Sequence, residues 1–226
     1  MKIPALSPAV LFLVPSLMAA AGVIVDEPFD SPSEITYSYP PPEGEVPTFH
    51  GQFSAWTREG LVSVTYGSAL GVNGSGGMLV TVSQPSAKFM MINENAVQLP
   101  ITDPAYATVE QLRTYVLTFD ARIPDGKVME VSMNPRALDA AMRPRAETSK
   151  LVFGRITGTG EFVRHTLSLA DVPEARIRIF LQYIRDASLN GMEKIEVDIQ
   201  WLFMQPKLWD LGASVQMDNI KLVSGD

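Results

Sequence analysis

The sequence predicts an all-β protein, a two-sheet antiparallel β-sandwich with one short helical excursion. Runs of apolar residues alternating with polar ones recur along the chain at the roughly 8–12-residue spacing of sandwich strands. Turn signals of Gly, Pro and Asp separate these runs, and no long stretch with helical periodicity is visible. Strands without long helices pack into two layers, each of which buries one face.

Length and charge limit the class of protein further. The chain has 226 residues, 18 of them basic and 25 acidic, a net charge of −7 and no cysteine. We treat 22–226 as a single domain, since one large all-β domain commonly reaches this length. Such a domain buries about 70% of its unfolded surface and needs no disulfide. The acidic balance argues against nucleic acid, whose binding requires clustered Lys and Arg.

Residues 1–21 predict a cleaved secretory signal. Lys2 precedes an apolar stretch over 9–18, and the three alanines over 19–21 are the small residues that signal peptidase accepts. The apolar stretch is too short for a lasting transmembrane helix. We therefore expect a mature chain that is secreted, periplasmic or on the cell surface, with no membrane span.

The first half of the mature chain contains five strand-like runs and one glycine-rich loop. Prolines over 40–47 exclude an interior strand there, and 71–77 is a loop with four glycines. We expect the second and third runs to pair through a turn at Glu59-Gly60. The five runs are 23–29, 53–56, 61–66, 78–83 and 88–92.

A strand over 114–123 has the clearest alternation in the chain. Its odd positions from 115 to 121 are apolar, and its even positions are mostly polar. The turn composition of 124–127 and a further run over 128–134 predict an antiparallel hairpin. The Ala-rich, basic segment 135–150 follows, and we expect it to be a solvated excursion with a short helix over 137–142.

Five later runs complete the predicted strands. We expect the first two of them to form a hairpin through Gly158-Thr159-Gly160. The last run breaks phase at Asp218-Asn219, because its apolar residues fall on odd positions before this pair and on even positions after it. A one-residue bulge would return them all to the core and turn Asp218 and Asn219 outward together. The runs are 151–156, 161–169, 176–184, 195–203 and 214–223.

The sequence contains no catalytic constellation, and we expect the protein not to be an enzyme. It has no cysteine and no Gly-x-Ser-x-Gly elbow. His165 lies on an apolar strand face, which favours a core or interface role, and His50 has no partner nearby in sequence.

One near-motif offers a minor alternative. The run Glu196-Val197-Asp198-Ile199-Gln200-Trp201 resembles the Glu-x-Asp-x-x-Glu strand of laminarinase-like glycoside hydrolases. A retaining hydrolase needs two carboxylates about 5 Å apart. Trp201 stands where that family has its acid/base, so the alternative is a relative that lacks this group.

Aromatic side chains offer another route to sugar binding, by stacking on the apolar face of a sugar ring. Trp209 lies in an expected loop and is the candidate exposed platform, with Tyr106 or Tyr183 as its partner. Its alternative role is a hydrophobic plug over one end of the sandwich. Trp201 follows the apolar parity of its run and is expected in the core, whereas Trp56 fits either core or rim.

Four motifs occur in order along nearly the whole mature chain. They are Val25-Asp26-Glu27-Pro28-Phe29-Asp30, Gly74-Ser75-Gly76-Gly77-Met78-Leu79, the strand over 115–122, and Met217-Asp218-Asn219-Ile220-Lys221-Leu222. Together they resemble the galactose-binding-domain-like jelly rolls found as bacterial carbohydrate-binding modules. The resemblance implies a jelly roll whose first and last strands lie side by side.

The same resemblance implies a structural calcium ion near the junction of those two strands. Asp218 would be its main ligand, with Glu27 or Asp30 and with carbonyl oxygens of the loop around Gly76. Calcium takes six to eight oxygen ligands. We therefore expect a melting temperature that falls with a chelator and recovers with calcium.

Two function classes remain open. The first is an exported, non-catalytic protein like a carbohydrate-binding module, with a polysaccharide or glycan as its partner. The second is a structural or protein-interaction sandwich of the cell envelope. An exposed aromatic pair would favour the first class, and a smooth apolar patch without polar groups would favour the second.

Overall fold

The computed structural model describes residues 22–29, 38–39, 54–58, 62–82, 88–92, 99–102, 106–138, 144–147, 150–204 and 209–225. Within these ranges the helices are α1 (Val109–Arg113) and α2 (Glu174–Leu189). The strands are β1 (Gly22–Glu27), β2 (Ser38–Tyr39), β3 (Ser54–Arg58), β4 (Val62–Gly67), β5 (Gly77–Val82), β6 (Lys88–Ile92), β7 (Leu99–Pro100), β8 (Val116–Arg122), β9 (Val128–Leu138), β10 (Pro144–Glu147), β11 (Leu151–Thr157), β12 (Phe162–Ser168), β13 (Lys194–Met204) and β14 (Ser214–Ser224).

The described strands form two sheets, which confirms the predicted β-sandwich. The smaller sheet has the order β12-β8-β14-β5-β4, and β1 also pairs with β14. The larger sheet has the order β10-β9-β13-β6-β3-β2, while β11 pairs with β9 and β7 with β13. Neighbouring strands run antiparallel except the short β2, which is parallel to β3.

The core lies between the sheets and is built from the alternation that the sequence shows. On β8, Leu117, Phe119 and Ala121 are buried, and the adjoining Tyr115 is buried with them. The facing strand β9 buries Met129 and its odd-numbered apolar neighbours, as does β13 in the same sheet. Strand β8 therefore covers the core with one face, whereas β9 also buries Glu130 and Ser132 on its other face.

The closing strand β14 contains the predicted bulge. Its register against β8 shifts between Asp218 and Lys221, and Asn219 has a positive φ of 49°. Apolar residues on both sides of the shift are fully buried. Strand β1 pairs with β14 and brings Glu27 opposite Ile220, so the first and last strands lie side by side as expected.

The predicted hairpins are wrong. Strands β8 and β9 belong to different sheets, and so do β11 and β12, and β3 and β4. The segments that follow β8 and β11 instead cross from one sheet to the other and bond to each other. Gly158 N donates to Lys127 O at 2.8 Å, and Gly160 N donates to Ile123 O at 2.9 Å. A tight turn at a sheet crossing has the same composition as a hairpin turn, so composition did not separate the two.

The predicted strand over 176–184 is also wrong, because this segment lies in the helix α2. Its buried residues are Ile177, Phe180, Ile184 and Ala187, at the three- and four-residue spacing of one helix face. The predicted helix over 137–142 begins as strand instead, since β9 continues to Leu138, and 139–143 lie outside the described residues. The helical excursion of the sandwich is therefore α2.

The other helix, α1, is capped by Thr108, because the Thr108 Oγ1 accepts a hydrogen bond from Gln111 N at 3.0 Å. The predicted signal over 1–21 lies outside the described residues. Within the described ranges, no helix has both the length and the apolar character to cross a bilayer.

Candidate functional site

Trp209 is buried at the end of the sandwich where β9 begins. Its side chain is 3% exposed, and its indole Nε1 donates a hydrogen bond to Val128 O at 3.1 Å. The neighbouring Asp210 pairs with Lys127 at 2.9 Å. The exposed platform expected of Trp209 is therefore wrong, and the buried indole matches the alternative role of a plug.

Tyr106 and Tyr183 do not complete an exposed aromatic pair with Trp209. Tyr106 is 2% exposed, with its ring stacked 6.4 Å from Tyr115 and edge-on to Phe180 at 6.4 Å. Tyr115 lies just before β8, and Trp209 lies beyond the opposite end of that strand. The seven residues of β8 span roughly 23 Å, so Tyr106, which stacks on Tyr115, is far from Trp209. Tyr183 lies on α2 and packs against the core, partly buried.

An open groove lies between α2 and the residues Ile101, Tyr106 and Ala107. We call it the α2 groove, and its volume is about 640 Å³. One face of α2 packs against the core, and a flank of the same helix forms one wall of the groove. It is lined by Ile101, Tyr106, Ala107, Arg178, Leu181, Gln182, Ile184, Arg185, Ser188 and Leu189.

The α2 groove combines an apolar floor with a polar rim. Buried side chains of Ile101, Tyr106 and Ile184 form the floor. Exposed donors on α2, namely Gln182 and Arg185, lie one turn apart on the rim. Such a surface contacts an apolar ring face and hydrogen-bonds the ring's edge.

The two arginines of the α2 groove form only exposed, weak ion pairs. Arg178 Nε donates to Glu174 Oε1 at 2.7 Å, and Arg185 Nε lies 3.9 Å from Asp186 Oδ1. All four side chains are largely exposed, and exposed ion pairs contribute little energy, so a ligand can replace the carboxylates. Among the described residues, those that line the groove include no carboxylate, histidine or cysteine.

The residues of the α2 groove were missed by the sequence interpretation because 176–184 was treated as a strand. A strand separates Arg178, Gln182 and Arg185 between two faces, whereas the helix places all three on one flank. The signal that would have found them is the apolar spacing of Ile177, Phe180 and Ile184, which is helical.

Strand register links β9 to β3 across the larger sheet. Ser132 pairs with Gln200 on β13, Gln200 with Met90 on β6, and Met90 with Trp56 on β3. Ser132 is buried, as are its neighbours Val131 and Met133, so both faces of β9 are covered at this point.

The near-motif residues of β13 take their rows from the same register. Trp201 is in register with the buried Val131, and Glu196 and Asp198 are in register with Arg136 and Asn134. The core position of Trp201 stays a prediction.

A charged cluster surrounds the buried Glu130 on β9. Lys150 Nζ donates to its Oε1 at 2.8 Å, and Arg155 Nε donates to its Oε2 at 3.2 Å. Burial raises the pKa of Glu130, but the hydrogen bonds and charges of Lys150 and Arg155 outweigh burial, and the pKa lies below its usual value. The two basic side chains thus favour the charged form of Glu130.

His165 lies at the edge of the core, as the sequence indicated. It is in register with Phe119, and the two ring centroids are 5.2 Å apart. Burial lowers the pKa of His165, and the charge of Asp120 opposes this only in part.

Asp218, the first candidate for calcium, is turned inward by the bulge. Its carboxylate is 0% exposed and lies against the 71–76 loop. Oδ2 accepts hydrogen bonds from Val72 N at 2.9 Å and Ser75 Oγ at 2.7 Å, and Oδ1 accepts one from Asn219 N at 2.7 Å. The outward direction that the sequence suggested is wrong, because the loop covers this side chain.

The oxygen atoms of the described candidate residues are not arranged to bind a calcium ion. Glu27 is buried, and its Oε1 accepts a hydrogen bond from Phe29 N at 2.7 Å. Gly76 is buried in the loop, Asp30 lies outside the described residues, and no three His, Cys, Asp or Glu side chains converge among those described. N–H groups that face the carboxylates of Asp218 and Glu27 take lone pairs that a cation would need. The calcium ion stays a prediction.

The chain is similar to solved structures of carbohydrate-binding modules. A family 11 module from Clostridium thermocellum, in complex with a β-1,3-1,4-mixed-linked tetrasaccharide, is 14% identical with a TM-score of 0.46, over 80% of this chain and 94% of that one. The family 30 module of a cellulosomal cellulase of Clostridium thermocellum is 11% identical with a TM-score of 0.48, over 92% and 99%. A family 29 module is 11% identical with a TM-score of 0.41, over 91% and 89%.

No protein-family model matches the chain, and a comparison with curated proteins gives no match. The resemblance to carbohydrate-binding modules stated from the sequence thus recurs among solved structures. At this identity and TM-score the matches assign no site and no ligand to this chain.

Proposed function

We propose that the protein is a non-catalytic glycan-binding sandwich that holds a polysaccharide chain in the α2 groove. The observation that carries this proposal is the combination, in one open groove, of the floor of Ile101 and Tyr106 with the exposed donors Gln182 and Arg185. A sugar ring has an apolar face and a hydroxyl edge, which match that floor and that rim.

The chemistry of the lining supports binding without catalysis. General acid–base and nucleophilic catalysis need a carboxylate, histidine, cysteine or activated hydroxyl beside the reacting bond. Among the lining residues that the structure describes, the groups of this kind are the hydroxyls of Tyr106 and Ser188, and none of these residues is a carboxylate or histidine that could serve as a base. The signal pattern over 1–21 supports export, where polysaccharides are encountered, and the acidic charge of the chain disfavours nucleic acid as a partner.

A second candidate function is the docking of a protein partner on α2. Leu189, at one end of the groove, is 80% exposed, and Ile179 on another side of the helix is 50% exposed. Exposed apolar side chains of this size favour a protein surface over a sugar. This candidate corresponds to the second of the two function classes, a structural or protein-interaction sandwich.

Retention by polysaccharides in affinity electrophoresis tests the proposal. The panel holds neutral and acidic polysaccharides, including β-1,3-1,4-mixed-linked glucan. We expect the wild type to be retained by at least one of them, and Gln182→Ala and Arg185→Ala to bind it about tenfold more weakly, because each removes a donor from the rim. Alanine favours the helix, so neither variant should unfold it.

Arg176→Ala is the matched control, because Arg176 is exposed on the same helix but does not line the groove. It should bind as the wild type does. Retention of the wild type by no polysaccharide would favour the protein-docking function. Equal retention of all four proteins would place the sugar outside the α2 groove and contradict the proposal.

A further inference from the structure

The buried carboxylate of Asp218 has a role that does not depend on sugar binding. We propose that Asp218 is an internal clasp, which fastens the 71–76 loop to β14 and takes the place of a calcium ion beside the first and last strands. The fold then needs no metal at this junction.

The first support is the occupancy of the carboxylate oxygens. Oδ2 has two lone pairs, and two donors face it: Val72 N at 2.9 Å and Ser75 Oγ at 2.7 Å. The Ser75 hydroxyl also lies 2.8 Å from Val72 O, but a charged carboxylate is the stronger acceptor. Asn219 N occupies one side of Oδ1 at 2.7 Å. Donor hydrogens fill positions that a cation would have to occupy.

The second support is the close fit of the loop around the carboxylate. Gly71 is buried, and a Cβ atom at that position would overlap Asp218 Oδ2 and the carbonyl oxygen of Gly76. Gly71 N donates to Ser75 O at 2.8 Å, which closes the loop upon itself. The backbone therefore approaches Asp218 as closely as it does only because residue 71 is glycine.

The third support is the anchoring of the bulge on its other side. Asn219 adopts a φ of 49°, which is uncommon for a residue with a side chain, and its Nδ2 donates to Asp120 Oδ2 at 2.9 Å. Asp120 Oδ2 is held in turn by Arg164 NH1 at 2.7 Å. Hydrogen bonds of Asp218 and of Asn219 thus hold both sides of the bulge without an ion.

The second acid assigned to calcium is engaged in the same way. Glu27, on β1, accepts a hydrogen bond from Phe29 N, two residues further along the chain. Phe29 has a φ of 56° and is buried. Glu27 thus stabilises the turn at the end of β1, as Asp218 stabilises the 71–76 loop.

Thermal unfolding in a chelator tests whether the metal is absent from the fold. The purified protein is melted after dialysis against EDTA and again with millimolar CaCl₂. We expect the two melting temperatures to agree within about 1 °C. A calcium site at a hundred times its Kd would instead raise Tm by roughly 5–10 °C. A rise of that size with calcium would overturn the proposal.

A double-mutant cycle tests the clasp itself. We expect Asp218→Asn to lower Tm by roughly 4–10 °C and Ser75→Ala by roughly 2–6 °C. The double variant should lose less than the sum, because both changes remove the same hydrogen bond. Additive losses would contradict the clasp. If Asp218→Asn does not fold, Ser75→Ala with and without calcium still decides, since a metal site would leave this variant responsive to calcium.

Discussion

At the residue scale, both the ring and the N–H group of Trp209 make contacts that fix the side chain. The ring is buried at the end of the sandwich and the indole N–H is bonded to Val128 O. A buried tryptophan usually finds such a partner, because an unpaired N–H away from water is costly. The sequence offered no alternation around residue 209 to show its direction, so platform and plug could not be separated before the structure was known.

His165 leads to a pH-dependent prediction. Burial lowers its pKa below the ordinary value of 6.5, against the opposing charge of Asp120. The unfolded chain therefore binds a proton at a higher pH than the folded one, and stability falls as the pH drops through 6.5 toward the folded pKa. Urea unfolding of the wild type and His165→Phe, between about pH 7 and pH 5, measures this effect.

The stability advantage of the wild type over His165→Phe should be greatest near neutral pH and shrink on acidification. Phenylalanine retains a ring against Phe119 and does not titrate. Stability curves that run parallel across this pH range would show that His165 does not titrate differently in the two states.

Asp218 shows how far residue-level reasoning extends. The change of apolar parity at Asp218-Asn219 predicted the bulge, since a buried face forces the register. The direction of Asp218 could not be predicted in this way. Its partners Val72 and Ser75 are more than 140 residues away in sequence, and the sequence does not reveal such contacts.

At the element scale, α2 gives a test that separates helix from strand. In the helix, Phe180 is fully buried and Ile179 is half exposed. In a strand over 176–184, Ile179 would share a face with Ile177 and be buried equally. We expect Phe180→Ala to cost about 3–5 kcal/mol in the free energy of unfolding, and Ile179→Ala about 0.5 kcal/mol or less.

Chemical denaturation of the two variants measures this difference. Alanine favours a helix, so the substitutions report on packing more than on propensity. Equal losses for Phe180→Ala and Ile179→Ala would contradict the placement of α2.

The strands were easier to predict than their partners. Alternation in β5, β8, β13 and β14 is local and was visible in the sequence. Sheet membership is not local, because the chain changes sheets after β8 and again after β11. The turn of Pro124 and Lys127 is present, with Lys127 N bonded to Pro124 O at 3.1 Å, but the strands on either side separate.

At the scale of the whole molecule, the sandwich followed from composition and period, and the function did not. A sandwich fold hosts many unrelated functions, so function has to be argued from a site. The site proposed here depends on α2, the element that the sequence interpretation placed in the wrong class. The location of bound sugar therefore decides whether the α2 groove is the binding site.

Hydrogen exchange followed by mass spectrometry, with and without the polysaccharide that binds best in the panel, locates the bound sugar on the protein. We expect slower exchange of the amides over 178–189 in the bound protein, with little change over β13. Slower exchange confined to β13 and its neighbours, or no polysaccharide that binds at all, would contradict a glycan-binding α2 groove.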